Sequence, residues 1–320
     1  MTTTTPPIVV APTVTEPPPR SRAARARRNL RSPWASIAAL AIAVLWTIPT
    51  FGLFVSSFRP EDQIKTTGWW TFFRDPQFTL ANYDEVLFSA SSNSGQLAEY
   101  FVNSFVITIP AVIFPLLFAT LAAYALAWME FPGRDWMFVG IFALQIVPIQ
   151  MALIPLLRFF NLGEIGGVEI IPGGFQLDDE WTAIRVWFAH TAFALPLAIF
   201  LLHNFMSELP RSLMEAARVD GASHARIFRS IVLPLVTPAI AAFAIFQFLW
   251  VWNDLLVGLI FASTDISPLT VRVAELQGSR GQEWQRLTAG AFVAIIVPLI
   301  VFLGLQRYFV RGLLAGGLKG

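Results

Sequence analysis

The chain is predicted to be an all-α integral membrane protein with six transmembrane helices. Composition is the first reason: 55% of its 320 residues are hydrophobic and the mean hydropathy is +0.61. The second is spacing. Six stretches of twenty residues or more lack Lys, Arg, Asp and Glu: Ser32–Phe58, Tyr100–Met129, Trp136–Leu157, Val186–Ser207, Ser230–Asn253 and Leu287–Gln306. A hydrocarbon core of about 30 Å needs about 20 helical residues. One such run would suit a soluble helical core; six in series do not. Charge distribution is the third reason. With a cytoplasmic N-terminus, fourteen basic residues fall in the inside segments and six in the outside loops, while fourteen acids lie outside. That asymmetry obeys the positive-inside rule and places both termini in the cytoplasm.

Residues 1–33 hold seven prolines, a threonine run and six arginines. So few apolar groups cannot form a core, and the segment reads as a disordered, basic, Pro-rich cytoplasmic tail. Arginines directly before a first membrane helix set topology, which accounts for them without nucleic-acid binding. The membrane domain is expected over 34–320, beginning with a helix at 34–58 that lacks a small-residue cleavage site and reads as an uncleaved anchor.

Segment 59–100 is external, with Trp69, Trp70, Phe72 and Phe73 suited to the interface. Helix 101–129 carries Pro110 and Pro115, helix 136–160 carries Pro148 and Pro155, and helix 182–206 carries Pro196. Each proline leaves a carbonyl unpaired, which neighbouring helices must satisfy. The short turn Glu130–Asp135 is internal. Between the third and fourth helices, Asn161–Trp181 has five acids, no bases and a Pro-Gly-Gly turn, as an exterior loop with a small hairpin would.

Residues 207–234 break the pattern. Pro210 suits a helix start, and Leu213, Met214 and Ala217 repeat at helical spacing. Asp220-Gly221 interrupts that helix, since Gly tolerates the backbone angles of a sharp turn. Ser223 is placed to cap a second short helix with Ile227, Phe228, Ile231 and Val232 on one face, closed by Pro234. Ser212 and Glu215 alone would also fit a capping box. The whole is a helix–elbow–helix, too polar to span a bilayer.

The fifth helix, 235–262, contains Trp250, Trp252, Asn253 and Asp254. Asp254 is its only acid, and a charge at that depth should face a bundle interior or a wet cavity. Two readings fit. Asn and Asp suit sugar hydroxyls and Trp suits pyranose faces; equally, the tryptophans suit an aromatic belt and Asp254 a partner on a neighbouring helix. Loop 263–287 is external, and a sixth helix spans 287–310.

Some chemistry is excluded. Without cysteine there is no disulfide, thiolate metal site or Cys nucleophile. His190, His203 and His224 lack metal spacing, and no Ser/His/Asp or paired-Glu arrangement indicates catalysis. No GxxxxGK[ST] phosphate loop occurs, so ATP, if it is used, binds to another chain. An ion-coupled secondary carrier would need intramembrane carboxylates or an inverted repeat; only Asp254 qualifies.

Glu215-Ala216-Ala217, Asp220-Gly221-Ala222, and then Phe228, Ile231, Leu233 and Pro234 resemble the EAA loop of ABC-importer permeases. Trp252-Asn253-Asp254 and the ending Ala315–Gly320 are similar to the carbohydrate branch, in particular the smaller permease subunit of maltose-type systems. The resemblance covers roughly 34–320 and implies a type I ABC-importer permease of the bacterial cytoplasmic (inner) membrane, with 207–234 as a cytoplasmic coupling loop. It implies as partners a second homologous permease, two cytoplasmic ATPase subunits that bind ATP and Mg, and an extracytoplasmic solute-binding protein. Oligosaccharide is the implied substrate, with polyamine or glycerol-phosphate as alternatives. No cofactor, metal or catalytic residue is implied in this chain. Glu215 would hold the ATPase cleft, Gly221 would set the elbow, and Phe228 with Ile231 would tie the second short helix to the bundle. The glycine-rich tail would reach the ATPases, loop 263–287 would face the binding protein, and 161–181 would be an insertion.

Overall fold

The computed structural model describes residues 33–89, 96–175, 182–276 and 283–317. Residues 1–32 of the expected 1–33 tail, the acids at 178–180 and the last three residues lie outside the described residues, and Pro33 opens the first helix instead of ending the tail. The chain divides into two units, one ending at Leu53 and the other starting at Phe54. The described part of the first is most of helix α1, Pro33–Ser57, interrupted only by Pro49.

In the second unit the external segment is structured. Helix α2 (Glu61–Thr66), a 3-10 turn (Trp69–Phe73) and helix α3 (Ala81–Phe88) follow in order. Asn82 ties them to the end of α1, donating to the carbonyls of Ser57 and Arg59 at 2.9 Å each.

The bundle then runs as α4 (Leu97–Trp128), α5 (Arg134–Leu144), α6 (Ile149–Leu162) and α7 (Ala183–Ser207). Next come α8 (Arg211–Val219) and α9 (His224–Trp252). Helices α10 (Leu256–Phe261), α11 (Leu269–Glu275) and α12 (Trp284–Gly317) complete it. Among the described residues five helices are long and apolar enough to cross a membrane, and α5 with α6 makes a sixth span when counted together. Helix α4 is central, packing most extensively on α7 and also on α9, which in turn packs on α12. After α6 a two-stranded hairpin pairs β1 (Glu164–Ile165) with β2 (Val168–Glu169). Its turn is Gly166-Gly167, both at positive φ, so the hairpin is set there and not at the later Pro-Gly-Gly.

Two spans depart from sequence expectation, the fifth at both ends. The third, expected as one helix over 136–160, is broken: α5 and α6 meet at 102°. Pro148 supplies the reason, because it cannot donate an amide and drives Val147 out of the helical region. The fifth helix was expected to start after Pro234, which would close the element before it. Instead α9 continues through Pro234 from His224 as one 29-residue helix. A π turn over Phe228–Val232 lies directly before the proline, widening the helix where Pro234 has no N–H to offer. That helix then ends at Trp252 and does not reach 262. Asp254 stops it, its carboxylate accepting the amides of Val257 and Gly258 at 2.9 and 3.2 Å and so opening α10.

The prolines inside the spans explain much of the packing. Pro110, Pro115 and Pro298 each lack the N–H that would take the carbonyl four residues earlier. Those carbonyls are claimed from neighbouring helices. Trp187 Nε1 donates to Val106 at 3.0 Å, Gln247 Nε2 to Ala111 at 3.3 Å, and Trp252 Nε1 to Ala294 at 3.0 Å. The three bonds join α4 to α7, α4 to α9, and α9 to α12. Trp252→Phe removes the donor together with the pyrrole part of a buried ring. It is expected to lower the stability of the purified protein by at least about 1 kcal/mol, read as a lower thermal unfolding midpoint in detergent. An unchanged midpoint would show that the Ala294 carbonyl needs no outside donor.

Candidate functional site

The first candidate is the bracket made by α8, the elbow at Asp220–Ala222, and the start of α9. Pro210 occupies the N-cap of α8, so Ser212 and Glu215 form no capping box. Met214 is buried and Ala217 half-buried, both in a cluster with Leu202 and Met206 of α7. Ser212, Glu215, Ala216 and Val219 are exposed. Their spacing puts them on a single helical face. Val219 is 87% exposed, an apolar residue presented outward. The helix has one side anchored in the bundle and one side bare.

The elbow is a Schellman turn. Ala222 donates to Ala217 O at 2.9 Å and Gly221 to Arg218 O at 3.0 Å, and Gly221 stands at φ +77°. A side chain at Gly221 would meet no atom, so the backbone angle is what requires glycine. Asp220 is exposed at the turn and Ala222 is half-buried. Ser223 takes the N-cap position of α9, but its hydroxyl makes no capping bond, contrary to expectation.

Beyond the elbow, Ile227 and Val232 are fully buried in the same cluster, with Phe228 and Ile231 packed against it. Phe228 lies edge-on to Tyr124 of α4, ring centroids 5.1 Å apart. Pro234, at the second position of the continuous part of the helix, is exposed. Three residues that sequence reasoning did not single out complete the anchor. Tyr124 Oη lies 3.0 Å from His224 Nδ1. Arg218 donates to the Trp128 carbonyl at 3.3 Å, and Trp128 Nε1 donates to Met206 O at 3.1 Å, linking α8, α4 and α7. The only signal in the sequence was polar-tipped aromatics near the inner end of an apolar run, which many membrane helices carry.

The second candidate is the Trp250–Asp254 block, which the fold separates. Trp252 is 3% exposed, enclosed by Phe105 and Phe248 with centroids at 4.8 and 5.7 Å. It is thereby a packing residue, neither in an aromatic belt nor open to solute. Asn253 is exposed and donates to Leu249 O at 2.7 Å. Asp254 turns inward to α10, with His190 Nε2 of α7 at 3.9 Å from the same carboxylate oxygen. His190 is buried, 2% exposed, and among the described residues its Nδ1 has no partner. Trp250, half-buried, faces a cavity. That cavity, of about 760 Å3, lies at the α5–α6 break and is lined also by Phe246, Gln145, Pro148, Phe159 and Phe188. No lining residue carries a charge.

Apolar helices long enough to cross a membrane, with a polar bracket that has one side anchored and one side bare, define a membrane protein of the permease class. The chain belongs to the family of binding-protein-dependent transport system inner membrane components, whose family model matches residues 87–314. It is 51% identical over 289 residues to an osmoprotective compounds uptake permease protein, GgtD, of Synechocystis, covering 88% of this chain and 91% of that one. It is 40% identical to the alpha-glucoside transport system permease protein AglG of Rhizobium meliloti, covering 91% and 98%. An arabinooligosaccharides transport system permease protein, AraQ, of Halalkalibacterium halodurans is 32% identical over 87% of this chain and 93% of its own. Among solved structures, a bacterial ABC transporter involved in the import of the acidic polysaccharide alginate superposes with a TM-score of 0.65. That match covers 90% of this chain and 99% of the other at 15% identity, and shows the shared fold. Membership in this family sets aside an ion-coupled carrier.

Asp254→Ala removes the acceptor for two α10 amides and is expected to cost about 1 kcal/mol of stability. Asp254→Asn, whose side-chain oxygen still accepts, should keep most of it in a thermal unfolding series. Weakened solute binding with an unchanged unfolding midpoint would instead put the carboxylate on the solute.

Proposed function

We propose that this chain is the membrane-spanning permease of an ATP-driven, binding-protein-dependent importer of sugars or oligosaccharides. Motion of a separate ATPase pair would enter it through the bracket. The observation that carries this reading is the bare face of α8, with Glu215, Ala216 and Val219, backed by a second helix continuous with the fifth span. Small alanines let a partner approach closely, and the carboxylate offers a charged hydrogen bond to a basic residue. Phe228, Ile231 and Ile227 then transmit a displacement of the elbow to α4 and α7 without a loose joint. ATP shifts the orientation equilibrium in so far as the closed ATPase pair fits one orientation better.

The partner set is a second homologous permease, two ATPase subunits holding ATP and Mg, and an extracytoplasmic solute-binding protein. The bracket and both termini face the cytoplasm, consistent with the distribution of basic residues. The cavity at the α5–α6 break contributes to the solute path, with Trp250 as a stacking face. Its uncharged lining supports a neutral solute over a polyamine, which needs acids, or a glycerol-phosphate, which needs bases. The alpha-glucoside and arabinooligosaccharide relatives support a sugar. A small osmoprotective compound is the second reading, supported by the 51% identical relative.

Glu215→Lys or Gly221→Asp is expected to abolish uptake while the protein stays at normal level in the membrane, measured against an ATPase-dead control. Wild-type uptake from both would remove the coupling role. Trp250→Ala is expected to weaken apparent sugar affinity by about fivefold, the equivalent of about 1 kcal/mol for one aromatic face. Uptake kinetics with an alpha-glucoside, an arabinooligosaccharide and an osmoprotective compound that is not a sugar separate the two substrate readings.

A further inference from the structure

We propose that a second cavity, beside the bracket, binds the phosphate of an anionic lipid headgroup. It measures about 330 Å3 and lies among the end of α4, the start of α5, the end of α7 and the start of α8. Its polar lining is Arg134, Arg211, His203 and Ser207, with Asp135 at the rim, and Phe138 forms part of its apolar wall.

The arginines have capacity to spare. Among the described residues Arg211 makes no hydrogen bond or ion pair that would occupy it. Arg134 uses only Nε, which donates to Asp135 Oδ1 at 3.0 Å, leaving both terminal nitrogens for another acceptor. Asp135 is the one acid at the cavity, and its side chain is 85% exposed. Two guanidinium groups against one solvated carboxylate leave the cavity positive. His203 lines the same cavity, its Nε2 3.4 Å from Ser207 Oγ.

The backbone points the same way. Helices α5 and α8, of 11 and 9 residues, both begin at this cavity, and neither has a side-chain cap on its first amides. Unpaired amides at a helix start favour an anion. A planar guanidinium at each start suits a phosphate held by two oxygens.

The depth selects a lipid over a free anion. Trp136, in the first turn of α5, is 82% exposed, which marks the headgroup level. From the cavity wall Val139 and, one turn on, Phe142 continue along α5 as exposed apolar residues on one face, a track for an acyl chain leaving the cavity. Assigning the site to the inner leaflet rests on the orientation proposed above; the phosphate chemistry does not. A lipid here would touch the first turn of α8, so the charge of the membrane would bear on the bracket.

The test is lipid retention by the full assembled transporter, read by native mass spectrometry after exchange into mixed phosphatidylglycerol and phosphatidylcholine. The wild type is expected to retain phosphatidylglycerol in preference to phosphatidylcholine. The double variant Arg134→Gln/Arg211→Gln is expected to lose at least about tenfold of that preference. Arg226→Gln, which changes a basic residue outside the cavity, should keep it. If the double variant fails to assemble, Arg211→Gln alone should show a partial loss, since that side chain makes no hydrogen bond or ion pair among the described residues. Equal retention by wild type and the arginine variants would overturn the site. Displacement by excess inorganic phosphate would reassign it to a soluble anion and overturn the lipid. Retention is read without transport, so failure of the sugar or coupling reading leaves this result interpretable.

Discussion

Hydrocarbon offers no hydrogen bond to a carbonyl that has lost its own. In this chain that constraint is met again and again by the same device. A proline within a spanning helix frees a carbonyl, and an indole or amide on another helix reaches across to take it. Val106, Ala111 and Ala294 are the three cases, and Trp187, Gln247 and Trp252 are their donors. Because an unmet carbonyl costs several kcal/mol in lipid, each pairing fixes which helices adjoin and at what register. The order of α7, α4, α9 and α12 follows from these contacts as much as from apolar packing.

The same proline chemistry shapes the working end. Pro234 would be expected to stop a helix, but the π turn before it lets the helix pass. The short second limb of the bracket is therefore the root of the fifth span itself. Contacts run from α8 to α9 through the Gly221 elbow, and to α4 and α7 through Met214, Tyr124 and Trp128. The elbow itself is held by its two backbone hydrogen bonds.

The break in the third span has a different outcome. Pro148 turns α5 and α6 by 102° and opens the uncharged cavity that Trp250 faces. One residue type thus serves opposite ends: in α4 and α12 its loss of a donor is repaired by a neighbour, and at Pro148 the chain turns away.

The existence of the spans, the apolar and bare faces of α8, and the glycine elbow were legible in the sequence, because each depends on local periodicity or on one backbone angle. Charge-free runs demand a bilayer wherever they pack, and Gly221 demands its turn whatever surrounds it. What the sequence could not separate was Trp250 from Trp252, or a proline that kinks from one that breaks. Two tryptophans two residues apart look alike in one dimension; only the position of Ala294 and its missing partner decided that one is buried and the other lines a cavity. Asp254 likewise read as a costly charge awaiting a partner, and the partners proved to be the amides of its own next helix. Local chemistry names the groups that need satisfying. The tertiary structure alone determines which distant group is near enough to satisfy them.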